Sequence, residues 1–224
     1  MNNMKIKETL QTTTGYTGHE FDGTVNKECP GYGHGDGIRH AVEADHATYY
    51  NLAKDLFDKY PNVTKILELG CGAGNLSAHY RSLSPNVLYV TMDINAVSPT
   101  LGLINPEHHI IAFTDRPFNI IDENNNNIKF DLILSFEHFE HIPEERVPQL
   151  LSNIKNHSHK DTFIVATAAA FSSVIHPTAW PRYKWEEVLN SNGLELLDDT
   201  ILHNFNVPCN FDLNNTNELI FKNK

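Results

Sequence analysis

Ile66-Leu67-Glu68-Leu69-Gly70-Cys71-Gly72-Ala73-Gly74-Asn75-Leu76-Ser77 runs from an apolar stretch of strand character into three glycines at alternate positions. Glycine reaches backbone angles closed to residues with a Cβ, and the missing side chain lets a ligand lie against the main chain. A helix starting near Asn75 turns its positive end toward the same place. That end suits a carboxylate as well as a phosphate, so the loop alone leaves open an amino-acid-bearing cofactor and a nucleotide. The next apolar run, Val87-Leu88-Tyr89-Val90-Thr91-Met92-Asp93-Ile94, ends in a carboxylate at the spacing of one βαβ step. Asp93 is thus placed to hold ribose hydroxyls, with a helix cap or turn former as its other reading. The dinucleotide pattern G-x-G-x-x-G fails here, because Asn75 or Ser77 stands where its third glycine is needed.

Two later segments extend the pattern. His109-Ile110-Ile111-Ala112-Phe113-Thr114-Asp115-Arg116-Pro117-Phe118 is apolar before it turns acidic, and Phe130-Asp131-Leu132-Ile133-Leu134-Ser135 leads into Phe136-Glu137-His138-Phe139-Glu140-His141-Ile142-Pro143. Taken in this order, Glu68-x-Gly70-x-Gly72-x-Gly74, Asp93, Asp115 and the F-D-L-x-x-S-x-E-x-x-E-H-x-P run resemble the class I S-adenosylmethionine-dependent methyltransferases over roughly residues 60 to 200. The resemblance implies a Rossmann-like, doubly wound, mostly parallel α/β sheet of seven strands in the order 3-2-1-4-5-7-6, with strand 7 antiparallel. It implies S-adenosyl-L-methionine as cofactor, S-adenosyl-L-homocysteine as product, and cofactor contacts at Glu68, Gly70, Cys71, Gly72, Gly74, Asp93, Ile94, Asp115, Arg116 and Ser135. Asp115 takes the place of the acid that meets the adenine amino group; ion pairing or capping is its other reading.

The 224 residues suit one sizeable α/β domain, residues 61–224, behind an extension, residues 1–60. Residues 1 to 38 are polar and glycine-rich, and Pro30-Gly31-Tyr32-Gly33-His34-Gly35-Asp36-Gly37 reads as a lid. Arg39 to Tyr60 has apolar residues at helical spacing, with Pro61 ending the helix. Strands are expected near 64 to 70, 87 to 93, 108 to 113, 130 to 135 and 161 to 167, then a helix from Lys184 to Ser191 and two closing strands at Gly193–Leu197 and Asn217–Phe221. Asn124-Asn125-Asn126-Asn127 is a polar connection.

A formal charge of −11 and no basic run argue against phosphate-backbone binding. The D/N-P-P-Y/F motif of amino-methylating DNA enzymes is absent after the fourth strand, where Ser135-Phe136-Glu137-His138 stands. No nucleic-acid partner is expected. Cys29, Cys71 and Cys209 are odd in number and widely spaced, so a reducing cytoplasm fits better than a disulfide framework. No segment has the length of a signal peptide core or membrane span, and no membrane partner is expected. The oligomeric state is left open.

His138 is the candidate general base: the family usually has an apolar residue there, and a titratable ring near the donor methyl can take a proton from an acceptor hydroxyl or amine. Glu137 beside it is a candidate for orienting substrate or sharing that role. His141 lies in the family's E-H dipeptide, where a structural and a catalytic histidine are both open. His138 and His141 are three residues apart, a spacing metal-binding helices also use. No third ligand stands at a convincing spacing, and the fifth strand ends in Ala166-Thr167-Ala168-Ala169-Ala170 rather than the acids of metal-dependent relatives, so no metal is expected. After that strand, His176, Arg182 and Tyr183 are candidate substrate contacts, because this region roofs the acceptor pocket in small-molecule and glycan-type members. Trp185 reads as an anchor for the loop. These features point to methyl transfer onto a hydroxyl or amine of a small or sugar-type acceptor. The alternatives are a protein of the same fold with other S-adenosylmethionine chemistry, or with none.

Overall fold

The computed structural model describes residues 7–9, 46–94, 103–122, 124–172, 176–201 and 216–224. The Pro30–Gly37 stretch and the first part of the helix expected from Arg39 lie outside these residues.

The segment that opens with the glycine loop is the centre of the sheet. Strand β1 (Lys65–Leu69) pairs in parallel with β2 (Leu88–Asp93) on one side and β4 (Phe130–Ser135) on the other. Outward from these lie β3 (His109–Ile111) and β5 (Ser158–Ala169), and the closing pair β6 (Leu194–Leu196) and β7 (Thr216–Asn223) completes seven strands in the order β3-β2-β1-β4-β5-β7-β6. Strand β7 runs antiparallel to both of its neighbours. This is the order the resemblance implies.

A parallel sheet is covered on both faces, so its central strands read as continuous apolar runs while successive side chains alternate between the faces. Ile66 packs with Tyr89, Leu132 and Val165 under helices α1 (His46–Lys59) and α2 (Asn75–Leu83), which supply Leu52, Leu56, Leu76 and Tyr80. Leu67 and Leu69 pack on the opposite side with Val90, Met92 and Ile133, under α3 (Val147–Asn156) and α4 (Arg182–Ser191). Trp185 of α4 is wholly buried between Phe139 and Trp180, with ring centroids 5.6 and 4.8 Å away. It is the anchor expected of it.

Three departures from the sequence reading have local causes. Strand β5 begins at Ser158, directly after α3, because it pairs with β4 through a register shift between Phe130 and Leu132. The Thr162 hydroxyl bridges that irregularity, donating to Phe130 O (2.6 Å) and accepting the His159 amide (2.8 Å). Strand β3 is shorter than expected: a 3-10 turn at Pro106–His108 precedes it, and after Ile111 the chain leaves the sheet toward the cleft. A short strand at Asn119–Ile121, unmarked in the sequence, pairs antiparallel with Lys7–Thr9. It is held to α3 by buried His157, whose Nε2 accepts the Ile120 amide at 2.9 Å while Nδ1–H donates to Asn153 O at 2.8 Å. Among the described residues, no helix is long and apolar enough to cross a membrane.

Replacing Trp185 by alanine should empty the space beside Phe139 and lower stability by about 3–5 kcal/mol, read from urea unfolding, with a single cooperative transition retained.

Candidate active site

The turn leaving β1 is built by hydrogen bonds from its own amides. Gly70 and Cys71 donate to Met92 O at 2.8 and 3.3 Å, and Gly72 donates to Asp93 Oδ2 at 2.8 Å. Gly70, Gly72 and Gly74 all have positive φ, at 71°, 53° and 86°. Their surroundings differ. A Cβ on Gly70 would come within 2.5 Å of His138 Cγ, whereas one on Gly72 would meet no atom of the described residues within 4 Å. Gly70 is therefore glycine to let the protein close on itself, and Gly72 leaves a cradle that a side chain would fill. Helix α2 begins immediately after Gly74 and directs its N-terminal end at the turn.

The cleft over this turn is lined by Gly70, Asp93 and Ile94, by Phe113, Thr114 and Asp115, and by His138 and His141. Asp115 forms an ion pair through Oδ2 with Arg146 Nη1 at 3.3 Å, while its buried Oδ1 has no hydrogen-bond partner among the described residues. The ion-pair reading of Asp115 thus holds together with an oxygen left over for an N–H donor. Glu68 lies below the turn, and the Tyr89 hydroxyl donates to its Oε2 at 3.0 Å. Burial pushes its carboxyl up to about 8, with Asp93 adding and the Tyr89 hydrogen bond opposing.

His138 requires a correction. Its Nδ1 lies 2.9 Å from Ser135 Oγ and its Nε2 2.9 Å from Thr114 Oγ1. Ser135 spends its own proton on Leu69 O at 3.1 Å, so Nδ1 carries the hydrogen and Nε2 accepts from Thr114. Although a ring edge faces the cleft, burial and the neighbouring His141 hold the imidazole down at about 3. A ring bonded at both nitrogens and so reluctant to take a proton walls the cleft over Gly70 and is poorly suited to the role of general base.

Beyond His138, which caps it, the chain makes a 3-10 turn at Phe139–His141 in which His141 N–H donates to His138 O at 3.1 Å, and both imidazoles line the cleft. Glu137, just before it, has φ of 48°, a left-handed conformation rare for glutamate, and donates its amide to Thr167 Oγ1 at 2.8 Å. Among the described residues, the buried carboxyl oxygens of Glu137 and Glu140 have no partner at full hydrogen-bonding geometry, and the Thr167 hydroxyl and the Ala169 amide are their nearest polar neighbours. The two carboxyls lie against each other, and burial pushes both up, Glu140 further because Glu137 repels its charge. His141 stacks edge-on with His176, ring centroids 4.9 Å apart, and ligand atoms of Glu140, His141 and His176 all lie within 4.8 Å of one another. This brings together a third residue with metal-ligating chemistry, which the linear spacing did not show.

The structure thus gathers Gly70, Asp93, Ile94, Asp115, His138 and His141 at one cleft, with Gly72 bonded to Asp93 next to it, and sets Glu137 and His176 beside it. It does not bring the remaining candidates there. Arg182 donates to Glu218 O and, at 3.4 Å, to Leu197 O, fastening the closing strands, and Tyr183 is 72% exposed at the start of α4. Neither is placed as a substrate contact. Arg116 lies over the Phe113 ring at 3.9 Å, Ser135 is fully buried behind His138, and the Cys71 thiol is buried toward His109, 4.0 Å from Nδ1, where burial pushes it up. These three support the cleft from behind. Phe113, Thr114 and Glu140 are the residues sequence reasoning missed. Glu140 was visible in the E-x-x-E-H run, and Thr114 only as the neighbour of Asp115.

The sequence model of the family described as methyltransferase domain matches residues 41–206. The chain belongs to this family, that of the class I S-adenosylmethionine-dependent methyltransferases. No curated protein matches it by sequence. Among solved structures it is similar to an S-adenosylmethionine-dependent methyltransferase from Clostridium acetobutylicum (TM-score 0.58, 14% identity, 83% of this chain and 94% of that one). A TehB-like enzyme from Corynebacterium glutamicum is similar too (TM-score 0.58, 20% identity, 84% and 94%). A third is the glycopeptide N-methyltransferase MtfA complexed with sinefungin (TM-score 0.55, 8% identity, 78% and 94%). At these identities the likeness is one of fold.

Gly70→Ala should cost at least about 2 kcal/mol of stability from its left-handed backbone and the collision with His138. Gly72→Ala should cost only about 1 kcal/mol yet weaken S-adenosylhomocysteine binding more than tenfold by calorimetry. Glu68 binds its proton more tightly in the folded chain, so the stability it contributes is fully present below pH 4.5 and is lost as pH rises through about 8. Between those values the stability of Glu68→Gln relative to wild type should rise by up to about 1.4 kcal/mol per pH unit in urea titrations. A difference independent of pH would contradict this.

Proposed function

We propose that this chain moves the methyl group of S-adenosyl-L-methionine to a hydroxyl, or less readily an amine, of a small-molecule or sugar-type acceptor. One observation carries the reading: Asp93, which pins the Gly72 amide beside an open cradle, lines one cleft together with Asp115, whose buried Oδ1 has no hydrogen-bond partner among the described residues. These residues fit the cofactor. Gly72 and the start of α2 receive its amino-acid end, Asp93 and Ile94 its ribose, and Asp115 Oδ1 accepts from its adenine amino group. The bound cofactor supplies a methyl on a sulfonium, already activated toward attack.

What the protein adds is placement and exclusion of water. His138, neutral and bonded at both nitrogens, closes the wall above Gly70 and leaves no mobile charge beside the sulfonium. Orientation of this kind supplies much of the rate enhancement in reactions that need little covalent help. On the acceptor side stand Glu137 and His141, and a hydroxyl entering there finds acceptors for its hydrogen in that cluster. The charge of −11 supports an acceptor other than nucleic acid, and the composition supports a cytoplasmic protein.

Incubation with methyl-labelled S-adenosylmethionine and a panel of hydroxylated and amino metabolites should put label into a hydroxylated acceptor. Asp93→Ala should weaken S-adenosylhomocysteine binding at least tenfold. His141→Asn should leave that affinity within about threefold while slowing transfer by about a hundredfold or more. Cofactor consumed with no label in any acceptor would favour other chemistry on the same scaffold, and no binding at all would overturn the reading.

A further inference from the structure

Two buried carboxyls pressed together with no donor between them are unstable as a pair of anions, since each loses its hydration and repels the other. Glu137 and Glu140 are in this position: Glu140 is 1% exposed, and among the described residues none of the four carboxyl oxygens has a partner at full hydrogen-bonding geometry, the nearest polar groups being each other, the Thr167 hydroxyl and the Ala169 amide. Glu137 is held there in a left-handed backbone conformation, the kind of strain that persists where surrounding structure over-determines it. Against Glu140 stand two imidazoles, His141 and His176. Something positive belongs between these groups.

We propose that Glu140, His141 and His176 bind a divalent cation, with the Glu137 carboxylate adding negative charge beside it. Their ligand atoms lie within 4.8 Å of one another, a separation that modest side-chain rotation converts to coordination around one ion. The ligands come from two segments of the chain, the 3-10 turn after β4 and the loop after β5. His176 Nδ1 lies 3.2 Å from Phe171 O. With its Nδ1–H donated to that carbonyl, Nε2 is left to ligate, the arrangement in which metal-bound histidines are usually oriented. Two imidazoles and a carboxylate suit manganese, iron, cobalt or zinc; magnesium and calcium prefer all-oxygen sets. Three ligands also leave coordination positions open.

His141 lines the cofactor cleft, so those open positions face the acceptor. This second part rests on the methyltransferase reading. An acceptor with two neighbouring oxygens chelates the cation, which lowers the affinity of its hydroxyl for the proton. The proton passes by way of the Glu137 carboxylate beside the ion to water, the oxygen takes the methyl carbon, and the electron pair of the broken carbon–sulfur bond stays on sulfur, turning the sulfonium into a neutral thioether. The acceptor class is therefore a chelating hydroxyl compound, such as a vicinal diol or an α-hydroxy acid.

The test is a titration of the full chain, stripped with chelator, with Mn2+ read by electron paramagnetic resonance and with Zn2+ in competition. One ion per chain is expected, with affinity reduced more than about tenfold in both Glu140→Gln and His176→Gln. Far-ultraviolet circular dichroism and S-adenosylhomocysteine affinity in each variant show that the fold and the neighbouring cleft are intact. Absence of stoichiometric binding of either ion, or binding unaffected by both substitutions, overturns the site and leaves a proton shared between the two carboxyls. Because metal titration needs neither cofactor nor acceptor, a chain that binds Mn2+ but no S-adenosylhomocysteine would refute the methyltransferase reading and keep the metal site. The opposite result would do the reverse.

Discussion

The hydrogen bond from the Gly72 amide to the Asp93 carboxylate joins the ends of the two central strands, and the shape of the cleft follows from it. Parallel pairing of β1 with β2 brings both carboxyl ends to the same edge of the sheet. There the order reverses between β1 and β4, opening the crevice in which ligands of doubly wound sheets bind. Were the carboxylate absent, the Gly72 amide would lose its acceptor and the turn its fixed height above the sheet. Asp93 therefore has two tasks, holding the turn and facing the ligand.

His138 shows how a titratable side chain becomes a structural one. Its position after β4 suggested a base, yet the hydroxyls of Ser135 and Thr114 fix its tautomer and burial keeps it neutral. The ring fills the volume that any side chain at position 70 would need. Glycine and histidine are thus complementary: the absence of a Cβ on one strand end makes room for an imidazole from the next. The wall beside the cofactor is apolar in effect although it is built from a polar residue.

The polar burden of the site lies one turn further on, where Glu137, Glu140, His141 and His176 crowd together. Thr167 near the end of β5 holds the Glu137 amide, so the position of that carboxylate depends on two strands at once. This is costly in a low-dielectric setting, and such cost marks functional sites more often than structural ones.

The sequence by itself determined the order of the elements and the cofactor side of the cleft, because these rest on local signals. An apolar run buried on both faces, alternate glycines and an acid one βαβ step later are legible in a single pass from Ile66 to Asp93. It also marked Trp185 as an anchor. The tertiary structure alone decided the other side. Whether His138 is a base depends on hydroxyls from β4 and from the chain beyond β3, and whether Glu140 and His141 have a third partner depends on a loop that returns after β5. Arg182 and Tyr183 have suitable chemistry for substrate but are carried away by helix α4. The difference is physical: backbone conformation and face burial are set by near neighbours in sequence, while a proton affinity or a ligand set is fixed by groups that only the fold brings within hydrogen-bonding distance.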